Sequence, residues 1–243
     1  MPVKSKFIVL SHGRTGSTYV VQELNKHPQI RMLSEIFHDS YDERPYVNGK
    51  KWEPGLSSWD FLQKNVYDTL PDGILTIGFK LFYFHLPFSD QTWVNLDKDR
   101  EIAPVVLHRQ NIFAGFVSEE RARQSNIWHP TEKGDAYTQE VHVTLNMVKA
   151  QRYLDRNSER QKFGLKLVAD RNHLFMTYED LVKDAPGTMK KLANYFEIDV
   201  GTWEPAAFLT GSADKSRTII DNIDEIATFL KQRDAIWMLE PYL

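Results

Sequence analysis

The chain contains no cysteine, so disulfides, thiolate metal sites, iron–sulfur clusters and thiol nucleophiles are excluded together. It also lacks a dominant charge. Its 30 Lys and Arg stand against 33 Asp and Glu, a formal −3, which supplies no global field for gripping nucleic acid or an anionic membrane. Any phosphate site must therefore be local, and no nucleic-acid partner is expected. No apolar run approaches the ~20 residues of a membrane span. Near the amino terminus Phe7-Ile8-Val9-Leu10 is too short for a signal-peptide core, so a cytoplasmic protein is expected. Familiar catalytic signatures are missing as well. There is no G-x-S-x-G elbow, no G-x-G-x-x-G dinucleotide loop and no H-E-x-x-H, and the eight histidines show no metal-ligand spacing.

What remains is a globular composition of 243 residues, 42% hydrophobic and 26% charged, expected to form one domain over residues 1–243. Short branched apolar runs at Lys6–Ser11, Ile30–Leu33, Ile74–Phe84, Ile102–Leu107 and His173–Thr177 predict strands. Helical patterns are expected between them over Thr15–Lys26, Asn111–Arg123 and much of Ala136–Asp170. Two more follow, near Thr188–Phe196 and from Asn222 toward Glu240, the latter with Glu225 three residues after an Asn222 cap. This alternation predicts an α/β fold, an open and mostly parallel sheet flanked by helices. His38–Pro54, His85–Arg100, Ile127–Asp135 and Gly201–Arg217 are expected as long loops. Trp52, Trp93, Trp128 and Trp203 in them either anchor the loops on the core or line an acceptor pocket.

Between the first strand and the first helix lies Ser11-His12-Gly13-Arg14-Thr15-Gly16-Ser17-Thr18. Loop N–H groups at the carboxyl end of a strand, followed by a helix N-terminus, make an anion cradle. A Walker A loop needs G-x-x-x-x-G-K-[ST]. Here Gly13 and Gly16 are three apart, and no Lys precedes Ser17 or Thr18. A metal-held nucleoside triphosphate is thus disfavoured.

Phe7 to Thr18 resembles the 5′-phosphosulfate loop of sulfotransferases that use 3′-phosphoadenosine-5′-phosphosulfate (PAPS), in the R-[ST]-G-[ST]-[ST] form of carbohydrate sulfotransferases. The resemblance continues in order. His27-Pro28 leads to a second strand ending in Glu35, Gly78-Phe79-Lys80-Leu81 is similar to the G-[FAV]-K-[LTM] strand, and Tyr178-Glu179-Asp180-Leu181 to the Y-E-D-L segment. Pro104 to Arg109 followed by Phe116-Val117-Ser118 resembles the strand, Arg and helix Ser that hold the 3′-phosphate. It departs from the common pattern in that Arg109 and Ser118 are nine apart rather than eight, with Gln110 at the usual Arg register.

The resemblance implies a P-loop-like fold and metal-independent transfer of a sulfuryl group from PAPS, releasing 3′-phosphoadenosine-5′-phosphate (PAP), to a hydroxyl of a small molecule or glycan, a sugar or glycolipid before a steroid or phenol. Thr15, Gly16, Ser17 and Thr18 would hold the 5′-phosphate, and Arg14 the bridging oxygen. Glu35 would be the general base, with His38 as substitute. Arg109 and Ser118 would hold the 3′-phosphate, and Arg121, Arg123, Lys215 or Arg217 could share its charge. Arg121 and Arg123 also read as a solvated helix face, and Lys80 either lies near the site with no assigned role or is a strand lysine with an exposed tip. A kinase-like phosphoryl transferase and a non-catalytic nucleotide-binding module are the alternatives, and a homo-oligomer is compatible with the sequence.

Overall fold

Five parallel strands run side by side in the order β2-β3-β1-β4-β6. They comprise β1 (Ser5–Ser11), β2 (Ile30–Glu35), β3 (Thr76–Phe82), β4 (Ile102–His108) and β6 (Leu174–Thr177). The computed structural model describes residues 5–68, 72–128, 140–201, 203–208 and 218–243. Lys215 and Arg217 lie outside them. By its internal contacts the chain divides into two compact units, one of residues 1–108 and 160–207, the other of residues 109–159 and 208–243.

The first unit holds the sheet. Phe7, Ile8, Val9 and Leu10 of β1 are buried, and all seven residues of β3 are buried, as a parallel sheet covered on both faces requires. β1 pairs with β3 from Ser5↔Thr76 to Ser11↔Phe82, and with β4 from Lys6↔Ile102 to Ser11↔Leu107. Gly78 is required at this close approach. A Cβ there would lie 2.5 Å from both the ring and the carbonyl oxygen of Phe7. The chain leaving β1 crosses toward β2, whereas β4 is followed in the sheet by β6 on the other side. The carboxyl ends of β1 and β4 therefore flank the topological switch point, where open α/β sheets bind ligands.

Helix α1 (Ser17–Leu24) follows β1. Helix α2 (Ser58–Phe61) runs into a π-helical turn, Leu62–Tyr67, and α3 (Gln91–Lys98) sits in the stretch expected as a loop. Trp93 and Leu96 on its buried face, and Asp90 accepting from the Thr92 N–H, account for α3. Helix α6 (Tyr178–Tyr195) starts ten residues before the expected Thr188. A reciprocal Thr177–Asp180 capping box opens it, and a non-helical Asp184 accommodates Pro186.

The second unit contains α4 (Ile112–Ser125), a parallel pair β5 (Val141–Val143) and β7 (Thr218–Ile220), helix α7 (Ile223–Lys231) and a 3₁₀ segment Ile236–Tyr242. Phe113, Phe116, Leu154, Ile226, Leu230 and Leu239 form its core. Part of the stretch expected to be helical is thus strand β5. The long helix α5 (Met147–Val168) gives its residues through Glu159 to this unit and those from Arg160 to the first. The expected Asn222 cap does not form. Its Oδ1 accepts from the Leu145 N–H and its Nδ2 donates to Leu145 O and Glu225.

Candidate active site

The loop between β1 and α1 is closed by its own side chains. Ser11 Oγ donates to Leu107 O at 2.8 Å and shares a 2.7 Å hydrogen bond with Thr15 Oγ1. His12 is buried, and its Nδ1–H donates to Gly13 O at 2.9 Å because a carbonyl can only accept. That leaves Nε2 to accept from Gln161 Nε2 on α5, at 3.1 Å. Two residues turn left-handed, Arg14 at φ 63° and Gly16 at φ 80°. The first helical bond runs from Val20 N to Gly16 O, so the N–H groups of Ser17, Thr18 and Tyr19 precede it. No acidic residue occupies this first turn and no side chain caps it. An anion is favoured there by the helix dipole.

Glu35 ends β2, which β3 separates from β1. Lys80 on β3 lies in register with Val9 of β1 on one side and Glu35 on the other. Its ammonium is 2.8 Å from Glu35 Oε1, and the side chain is 2% exposed. Of the two readings of Lys80, the strand lysine with an exposed tip does not hold. β3 is central and covered on both faces, so alternation along it does not lead to solvent.

The second carboxylate oxygen meets a histidine that nothing in the sequence signals. In the turn after β3, the Phe82 N–H donates to His85 Nδ1 at 3.3 Å, which leaves the proton on Nε2. Nε2–H then donates to Glu35 Oε2 at 3.1 Å. Burial lowers the His85 pKa despite the carboxylate, and so keeps the ring neutral. On Glu35, burial alone would raise the carboxyl, but the His85 hydrogen bond and the Lys80 charge overcome it and hold it at about 2. The carboxylate is ionised throughout the physiological range.

His38 Nε2 lies 3.8 Å from Glu35 Oε2, while its Nδ1 accepts from the Ser40 N–H. The following loop is pinned by buried Arg44, which donates to His38 O at 2.6 Å, Trp52 O at 2.9 Å and Asp39 O at 3.2 Å. Its guanidinium also lies 4.9 Å from the Trp52 ring centre. Trp52, Trp93 and Trp203 are buried, whereas Trp128 is exposed.

In the second unit, Arg109 and Ser118 are both 3% exposed. Gly115 leaves room for Tyr153, whose hydroxyl would lie 3.1 Å from a Cβ there. Arg121 departs from the solvated face expected of it. It is buried and donates to Thr218 Oγ1 at 2.7 Å. Arg123 is exposed and pairs with Glu119 at 2.6 Å, as a solvated helix face implies. Among the described residues no group of three or more His, Asp or Glu could hold a metal ion, and no helix is long and apolar enough to cross a membrane.

No protein-family model matches the chain, and no curated protein matches it in sequence. Solved structures do. A sulfotransferase from Alicyclobacillus acidocaldarius matches with a TM-score of 0.55 at 11% identity, over 98% of this chain and 95% of that one. A mouse sulfotransferase, SULT7A1 complexed with PAP, matches at 0.47 and 16% identity over 82% of this chain and 61% of that one. The sulfotransferase domain from the curacin biosynthetic pathway matches at 0.46 and 12% identity over 88% and 78%. The first of these shows the fold. The expected α/β architecture, with its parallel central sheet and flanking helices, is that of the A. acidocaldarius sulfotransferase.

Proposed function

We propose that the protein is a PAPS-dependent sulfotransferase acting on a hydroxyl, most readily that of a carbohydrate or glycolipid. The observation that carries the reading is the Glu35 carboxylate, fixed by Lys80 and His85, with only β3 between it and a β1 that ends in the closed, acid-free loop.

In this reading the N–H groups of Thr15, Gly16, Ser17 and Thr18 bind the 5′-phosphate, and Arg109 and Ser118 bind the 3′-phosphate. Arg14 neutralises charge on the phosphate oxygen that leaves as the acceptor oxygen bonds to sulfur in line. Glu35 takes the acceptor proton. Its two donors keep the carboxylate charged and aimed, and a bound acceptor that displaces water raises its basicity from the low resting value. His38 is near enough to take over if Glu35 only orients.

Thermal denaturation tests the donor. PAP at ~100 times its dissociation constant should stabilise the fold by about 2.7 kcal/mol, while ATP with Mg²⁺ shifts the melting temperature far less. Equal shifts would overturn the 3′-phosphate assignment and favour a phosphoryl transferase. Transfer of radiolabelled sulfate from PAPS should persist in EDTA.

A further inference from the structure

The turn that delivers His85 to Glu35 also puts two phenylalanines into solvent. Phe84 is 40% and Phe88 54% exposed. One bare ring is ordinary on a protein surface, but here two fall within five residues of the turn that carries His85. Phe84 lies 5.0 Å from the His85 ring and 5.3 Å from Phe82, and Phe82 is 5.0 Å from His85. Both rings also rest on α5. The Arg160 guanidinium stacks on Phe84 at 5.0 Å, and Phe163 packs on Phe88 at 4.5 Å. Arg160 and Phe163 are one turn apart, about 4.5 Å along the helix axis, so the two exposed rings form a strip. The strip starts at the group bonded to Glu35.

We infer that this strip is the subsite for an apolar alkyl or aryl portion of the acceptor, so that the preferred acceptor is amphiphilic, a hydroxylated head carrying an apolar tail, rather than a free sugar. The inference rests on the sulfuryl-transfer reading and names the substrate class for it. Phenylalanine is the informative residue type. Tyr and Trp bring a polar handle that suits a hydroxylated ring, whereas Phe offers only apolar surface. The strip's continuity with the carboxylate commits it to the tail of the molecule whose hydroxyl reacts.

The test uses the full chain saturated with PAP and n-alkyl β-D-glucosides (methyl, hexyl, octyl) below their micelle concentrations, with dissociation constants from calorimetry. A fully buried methylene is worth roughly fourfold in affinity, and one lying on an open strip about half that free energy, or about twofold. Hexyl glucoside should then bind about thirtyfold more tightly than methyl glucoside. Phe84→Ser and Phe88→Ser, both at exposed positions, should each flatten this chain-length dependence while leaving the PAP-induced melting shift intact. Equal affinities across the series, no glucoside binding at all, or an undiminished gain in both variants would overturn the inference. So would a dimer, seen by light scattering, that Phe88→Ser splits, because the occupant would then be a second copy of the chain. A PAP shift without a chain-length gain refutes the strip alone. A chain-length gain without a PAP shift refutes the donor reading and leaves the strip standing.

Discussion

Replacing Lys80 by Met keeps the stem and removes the ammonium 2.8 Å from Glu35 Oε1. In the native protein burial works against the carboxylate, but His85 and Lys80 lower its pKa from 4.5 to about 2. A group lowered in this way contributes stability that is complete above pH 4.5 and is lost as the pH falls through 2. That interval corresponds to about 3 kcal/mol. From the lysine the same pair looks less favourable, because burial pulls the ammonium below its ordinary pKa in spite of Glu35. The two views disagree on the worth of the pair. The buried ammonium's desolvation returns part of the carboxylate's gain, so the expected loss in Lys80→Met is about 1–2 kcal/mol at pH 7. Below pH 4.5 the variant carboxyl takes up its proton before the native one does, and the difference should shrink toward zero near pH 2. Chemical denaturation at pH 7, 5 and 3, with a carbon-13 NMR titration of the Glu35 carboxyl, measures both quantities. A native Glu35 that titrates near 4.5, or a penalty as large at pH 3 as at pH 7, would refute the reasoning.

Glu35→Gln should cut turnover by ~10²–10⁴-fold while leaving PAP affinity within a few fold, as expected for a group that handles only the acceptor proton. Near-normal turnover would pass the role to His38, and lost PAP affinity would make Glu35 structural. Gly78→Ala should destabilise the fold by about 1–3 kcal/mol or more in urea unfolding, because its Cβ meets a Phe7 that is itself packed 4.3 Å from Phe196; an unchanged midpoint would mean that β1 can shift.

The central sheet was legible because its strands are continuous apolar runs, as strands buried on both faces must be. The loop was legible through its position between a strand and a helix, and Glu35 only through the family resemblance. Elements whose cause is not local escaped. β5 is three residues long and finds its partner β7 some seventy-seven positions later, so no window of sequence marks it. The start of α6 was legible in principle, because Thr177 and Asp180 carry the capping signal ten residues before Thr188 and the helix continues past Pro186 through a non-helical Asp184. The burial of Lys80 was not legible, because on a strand covered on both faces neither side of the alternation leads to solvent. His85 had no spacing relation to Glu35, fifty residues earlier, and only the turn after β3 joins them.

One stretch of α5 contacts both the loop after β1 and the exposed rings. Gln161 donates to His12 in the anion loop, Arg160 covers Phe84, and Phe163 touches Phe88, Trp93 and Tyr83. Gly164 completes the set. A Cβ there would stand 2.1 Å from the Tyr83 hydroxyl, so only glycine admits the tyrosine that hydrogen-bonds His108 Nε2 at 2.8 Å at the end of β4. Burial lowers His108 to about 4, which keeps that contact neutral. Four residues within one stretch of α5, Arg160, Gln161, Phe163 and Gly164, thus brace the loop, the turn that carries His85 and the end of β4. Their chemistry is ordinary for a helix surface, and only the partners that the fold brings to them give it a use.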